Sequence, residues 1–107
     1  MRKEKWLFDN IMLLYLDLGK DYILVLKYDH FSIDIFSKDN YFEVWLKTDI
    51  PLLKFKIEIN HSFFKEPDYR FETIKVIKKG LDKPPLEFAY ESIKPIVREY
   101  KLDKILK

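Results

Sequence analysis

Three consecutive stretches of this chain alternate apolar and polar residues with a period of two. The sharpest is residues 53–59, where Leu53, Phe55, Ile57 and Ile59 interleave with Lys54, Lys56 and Glu58. Ahead of it, Phe42, Val44 and Leu46 alternate with Tyr41, Glu43, Trp45 and Lys47. Earlier still, Phe31, Ile33 and Ile35 alternate with Ser32, Asp34 and Phe36. Successive side chains on a strand point to opposite faces, so these runs predict three strands with one apolar and one polar face. The segments between them, Ser37-Lys38-Asp39-Asn40 and Asp49-Ile50-Pro51, carry turn-forming residues and are too short for a crossover. The strands are therefore expected to be antiparallel neighbours.

Two further strands flank this set. Residues 21–28 place Tyr22, Leu24 and Leu26 on one face and Ile23 and Val25 on the other. Apolarity on both faces predicts a central strand covered on both sides. A fifth strand is expected near residues 69–79, with Ile74 and Val76 inward.

The ends of the chain read as helices. Leu7, Ile11, Leu14 and Leu18 form one helical stripe over residues 3–18, and Gly19 is expected to stop it. A second stripe, Phe8, Met12 and Tyr15, widens the apolar arc. It is either clamped between the sheet and another element or forms the face of a homodimer or another partner. Residues 86–105 keep a helical period, and Pro95 within them predicts a kink or two pieces, the second capped by Ser92. The 107 residues thus predict one α+β domain over residues 1–107. It is a five-stranded, mainly antiparallel meander sheet with an N-terminal helix and a kinked C-terminal helix, in the order α-β-β-β-β-β-α.

Residue scarcity removes most chemistries. Cysteine is absent, which excludes a disulfide framework, a thiolate nucleophile and Cys-based metal sites. Gly19 and Gly80 are the only glycines, so no glycine-rich phosphate loop exists. His30 and His61, the only histidines, read as loop residues rather than metal ligands. Ser32, Ser37, Ser62 and Ser92 stand in no nucleophile-elbow pattern. Asp68, Glu72 and Lys75 lack the spacing of an acidic-plus-lysine nuclease core. The paired carboxylates Asp34 and Glu43 are the remaining candidates for metal or acid–base work. The expectation is a non-enzymatic protein with no catalytic residue, no metal and no cofactor. No run approaches the ~18 apolar residues of a membrane span. The short apolar run 11–16 lies between Asp9 and Asp17, unlike a signal-peptide core, so a cytoplasmic chain is expected.

Charge adds a partial constraint. Twenty basic residues meet 18 acidic ones, a net charge of +2 too balanced to imply nucleic acid or membrane by itself. Residues 1–53 carry 7 basic and 9 acidic side chains, and residues 54–107 carry 13 and 9. Lys75, Lys78, Lys79 and Lys83 cluster near the end of the fifth strand, as on a solvated edge. The bias of 17 Lys against 3 Arg and 12 Ile against 4 Val points to an AT-rich microbe or phage.

The polar sheet face is the richest surface. Turn centres predict Phe36 opposite Tyr41, Asp34 opposite Glu43 and Ser32 opposite Trp45. They also set Trp45 against Lys54 and Glu43 against Lys56. The face would then show Phe36, Tyr41 and Trp45 among Lys47, Lys54, Lys56 and Lys75. Three readings stay open: the C-terminal helix covers the aromatics, the face binds another protein through its Tyr and Trp, or it stacks single-stranded nucleic acid. The leading expectation is a small protein-binding module of the antagonist, inhibitor or immunity type.

Overall fold

The computed structural model describes residues 2–28, 30–48, 51–61, 65–76 and 83–106. Asp29, Ser62, Lys78, Lys79 and Gly80 lie outside them, as does the far end of the expected fifth strand. The element order is α1 (Lys3–Leu18), β1 (Ile23–Tyr28), β2 (Phe31–Ser37), β3 (Tyr41–Lys47), β4 (Pro51–Asn60), β5 (Asp68–Val76) and α2 (Pro85–Leu106). The strands form one antiparallel sheet in sequence order, β1-β2-β3-β4-β5, with both helices on one face. This is the expected α+β meander. Among the described residues, no helix is long and apolar enough to cross a membrane.

The alternating runs put their apolar members inward. Ile33, Ile35, Phe42, Val44, Leu46, Leu53, Phe55 and Ile57 are buried beneath α1 and α2. Phe55, fully buried, stacks on Phe71 with ring centroids 4.9 Å apart. α1 contributes Leu7, Phe8, Ile11 and Leu14, and α2 contributes Ala89, Ile93, Ile96 and Val97. The helices lie parallel. Lys3 pairs with Glu87 near their starts, Trp6 meets Tyr90 edge-on at 5.0 Å, and Asp17 meets Lys104 at 3.1 Å near their ends. Both cross the sheet from the β5 side to the β1 side. Arg2 reaches Asp68 of β5, Phe8 and Tyr15 both touch Phe42 of β3, and the end of α1 leads into β1.

Several expectations change. β1 is an edge strand, not a central one, and its outer-face residues Ile23 and Val25 are exposed. Apolarity on both faces does not distinguish covered from uncovered. Ile74 and Val76 are also exposed, although Val76 pairs with the buried Leu53 on the helix side. A bulge between Lys54 and Phe55 on the β4–β5 ladder leaves Ile74 unpaired, so Tyr69 and Phe71 supply the inward residues of β5.

The β2–β3 register is displaced by two residues. The turn tightens onto Asp39-Asn40, with Lys38 N–H donating to the Tyr41 carbonyl at 2.9 Å. Phe36 therefore faces Glu43, Asp34 faces Trp45 and Ser32 faces Lys47. A two-residue shift leaves every side chain on its face. It also separates Asp34 from Glu43 and gives Asp34 an ion pair with Lys47.

Gly19 ends α1 for a different reason than expected. Its backbone is extended (φ −74°), not left-handed. A Cβ there would lie 2.5 Å from the Tyr15 carbonyl oxygen and 2.9 Å from the Tyr15 ring. The left-handed residue is Asp21 (φ 57°), which short polar side chains tolerate, in the turn that bridges Lys20 to Ile23. α2 runs unbroken through Pro95, and Ser92 is interior to it rather than a cap. Pro95 is exposed while Ile93, Ile96 and Val97 are buried, so packing of the covered side holds the helix across the missing hydrogen bond.

Candidate functional site

The polar sides of five strands make one face that no described helix covers. Cross-strand pairing arranges it in rows. One row reads Val25, Asp34, Trp45, Lys54, Lys75, and the next reads Ile23, Phe36, Glu43, Lys56, Glu72. A third adds Tyr41, Glu58 and Arg70. The β3–β4 pairs Trp45–Lys54 and Glu43–Lys56 are those expected from the turn.

Trp45 sits at the centre. The Lys54 ammonium lies 4.4 Å from its ring centroid and 2.9 Å from Glu43 Oε1. Trp45 Nε1–H donates to the same oxygen at 3.2 Å. One carboxylate thus ties an indole and an ammonium together. The Lys54 ammonium, with help from the Trp45 N–H, holds the Glu43 carboxyl below its usual value, against burial that would raise it. Lys47 pairs with Asp34 and lies 6.0 Å from the Trp45 ring centroid. Lys56 caps Tyr41 at 4.5 Å and meets Glu58 at 3.6 Å. Lys38 stands over Phe36 at 5.9 Å.

The structure therefore brings Phe36, Tyr41, Trp45, Lys47, Lys54 and Lys56 together on the open face. Lys75 stands exposed on β5 directly opposite Lys54. Like charges at that distance repel, and the Lys54–Glu43 pair offsets this. Asp34 and Glu43 are each engaged by a lysine. Among the described residues, no three His, Asp or Glu converge in a metal-binding group.

The second stripe of α1 packs in part against the sheet. Phe8 is buried, 5.6 Å from Phe42 and 5.7 Å from Tyr69. Tyr15 packs on Phe42 at 5.5 Å, and its hydroxyl donates to the Asp21 carbonyl. Met12, half-buried, joins them along a cleft of about 340 Å³ rimmed by Lys38, Asn40 and His61. Tyr41 also lines it, so the cleft opens onto the end of the polar face.

A region that periodicity alone does not reveal lies at the β1 edge. Leu16, Leu18, Tyr22, Val25, Tyr28, Leu102 and Ile105 are all exposed there, at the ends of both helices and along β1. A groove of about 310 Å³ runs beside them, floored by Leu14, Leu26 and Ile96 and walled by Tyr28, Glu99 and Asp103. Burial, and secondarily the Glu99 charge, raise the Tyr28 hydroxyl above its usual value. The signal in the sequence was the apolarity of residues 22–26 on both faces. No family model, curated protein or solved structure matches this chain.

Proposed function

We propose that this chain is a small, non-enzymatic protein-binding module that presents its open sheet face to another protein. One observation carries the reading: the aromatic anchors of the face are held by lysines already paired with carboxylates. Lys47, Lys54 and Lys56 each meet an acid on the same face. A nucleic-acid surface needs cations free for phosphates, released from other anions. A protein interface favours large aromatic side chains in fixed positions with a polar surround, which Trp45 and Tyr41 supply. The mixed charges around them favour a partner of mixed polarity.

The test places a photo-crosslinking residue at Ser32, opposite Lys47 and one row from Trp45 on the open face, in the cells that make the protein. A single protein species should be captured. Trp45→Ala should reduce its capture by about tenfold or more, as loss of a central anchor does. Glu91→Ala, on the solvent side of α2, should leave capture unchanged. Capture of nucleic acid, or protein capture indifferent to Trp45→Ala, overturns the reading.

A further inference from the structure

The free edge of β1 has a defined length. Ser37 N–H donates to the Tyr22 carbonyl at 2.9 Å, so the alternating pattern turns the backbone groups of Leu24, Leu26 and Tyr28 toward β2. Those of Ile23, Val25 and Lys27 face the other way. Ile23 is already satisfied, because its N–H and carbonyl bond to Lys20 at 3.2 and 3.1 Å. What remains open is a five-residue window, Leu24 to Tyr28, with the N–H and carbonyl groups of Val25 and Lys27 pointing outward.

That window is complementary to itself. In an antiparallel pairing centred on Leu26, Val25 of one copy meets Lys27 of the other, and each pair exchanges two backbone hydrogen bonds. On the helix side, Leu26 meets Leu26 and Leu24 meets Tyr28. The Lys20–Ile23 bridge blocks a longer strand, and the β1 of a second copy presents an open window of the same length.

The helices wall this edge on one side. Glu99, Tyr100, Asp103 and Lys104 of α2 line the groove beside Tyr28, and Lys104 reaches Asp17 of α1. Leu102 and Ile105, the latter 77% exposed, add apolar surface at the same end of α2. The opposite edge has no such window, because the bulge at Ile74 interrupts it and Arg70, Glu72 and Lys75 charge it.

We infer that β1 is a dimerisation edge: two copies of this chain pair antiparallel through Leu24–Tyr28, forming a continuous ten-stranded sheet. The pairing uses the backbone edge of β1, at the margin of the open face where Val25 ends the row of Trp45, and the dimer leaves that face exposed on both copies.

Sedimentation velocity on the full chain tests this, from about 10 µM to about 1 mM, the range in which modest interfaces assemble. The mass should rise toward twice the 13.1 kDa of one chain. Val25→Pro removes an outward N–H on an edge strand, a place where proline is tolerated. Val25→Lys places a charge on an outward side chain that is 43% exposed, so it disturbs the fold little. Both should weaken association at least about tenfold, which is 1.4 kcal/mol or more. Ile74→Lys on the other edge should not. Hydrogen exchange at the Val25 and Lys27 amides should slow with concentration in the parent chain and stay fast in Val25→Lys. A mass of one chain at every concentration overturns the proposal. So does a dimer that survives both Val25 substitutions in folded protein, or one that Ile74→Lys breaks instead.

Discussion

On β4, Phe55 and Ile57 are wholly buried, while their neighbours Lys54 and Lys56 stand on a face no helix covers. The two faces of this sheet are made by alternate residues of the same strands and are held by different forces. The covered face depends on apolar area removed from water, which is non-directional and large. The open face depends on placement: a carboxylate between an ammonium and an indole N–H, and ammonium groups over rings. Such contacts are individually small where water reaches them. The first face should therefore decide whether the chain folds, and the second what it recognises.

The largest effect should come from Phe55→Ala. Removing a buried phenyl ring that stacks on Phe71 leaves a cavity, and such changes cost about 3–5 kcal/mol. Trp45→Ala, at the centre of the other face, should cost only about 1 kcal/mol, the scale of an exposed cation–π contact plus a weak hydrogen bond. Urea denaturation of the two variants measures both. Equal losses would erase the distinction and make Trp45 a structural residue.

Gly19→Ala comes next and tests how α1 is held on the covered face. The new methyl would meet the Tyr15 carbonyl oxygen, which is backbone and cannot swing aside. The expected loss is about 1–3 kcal/mol, the range for forced overpacking. Loss of the Tyr15 hydroxyl contact with Asp21 should accompany it, since the same displacement moves the ring. A neutral Gly19→Ala would show that the end of α1 relaxes freely.

Much of this contrast was legible in the alternation. A period of two assigns each residue of residues 41–47 and 53–59 to a face without further information, and the face assignments survived the register shift. Register itself was less legible. Four turn-forming residues, Ser37 to Asn40, admit more than one hairpin, and electrostatics between Asp34, Glu43 and Lys47 favours the one found. Strand order was illegible for β1, because Ile23 and Val25 look the same in sequence whether or not another element covers them. The second stripe of α1 left two readings open for a related reason. Phe8 and Tyr15 lie over the ends of β3 and β5, a placement set by the crossing of helix over sheet rather than by any local pattern.

The smallest expected effect concerns pH and isolates the open face. Glu43 has its carboxyl held below the ordinary value of 4.5 by the Lys54 ammonium and the Trp45 N–H. A group whose folded-state value is depressed stabilises the fold above its unfolded value, and that stabilisation fades as pH falls through the folded value. The difference in unfolding free energy between the parent chain and Glu43→Gln should therefore be constant near neutral pH. It should begin to shrink as the pH drops below about 5, where the carboxylate of the unfolded chain starts to protonate, and it should vanish once the folded-state carboxyl is also neutral. Phe55→Ala, by contrast, should show a pH-independent loss across the same window, because that ring is fully buried and stacks on Phe71 in an apolar cluster. Denaturation of the three proteins between pH 7 and pH 3 compares the two faces directly. A Glu43→Gln difference that fails to narrow toward low pH would mean that the Glu43–Lys54–Trp45 arrangement does not hold the carboxylate in solution, and the open face would then lack the rigidity that recognition through Trp45 requires.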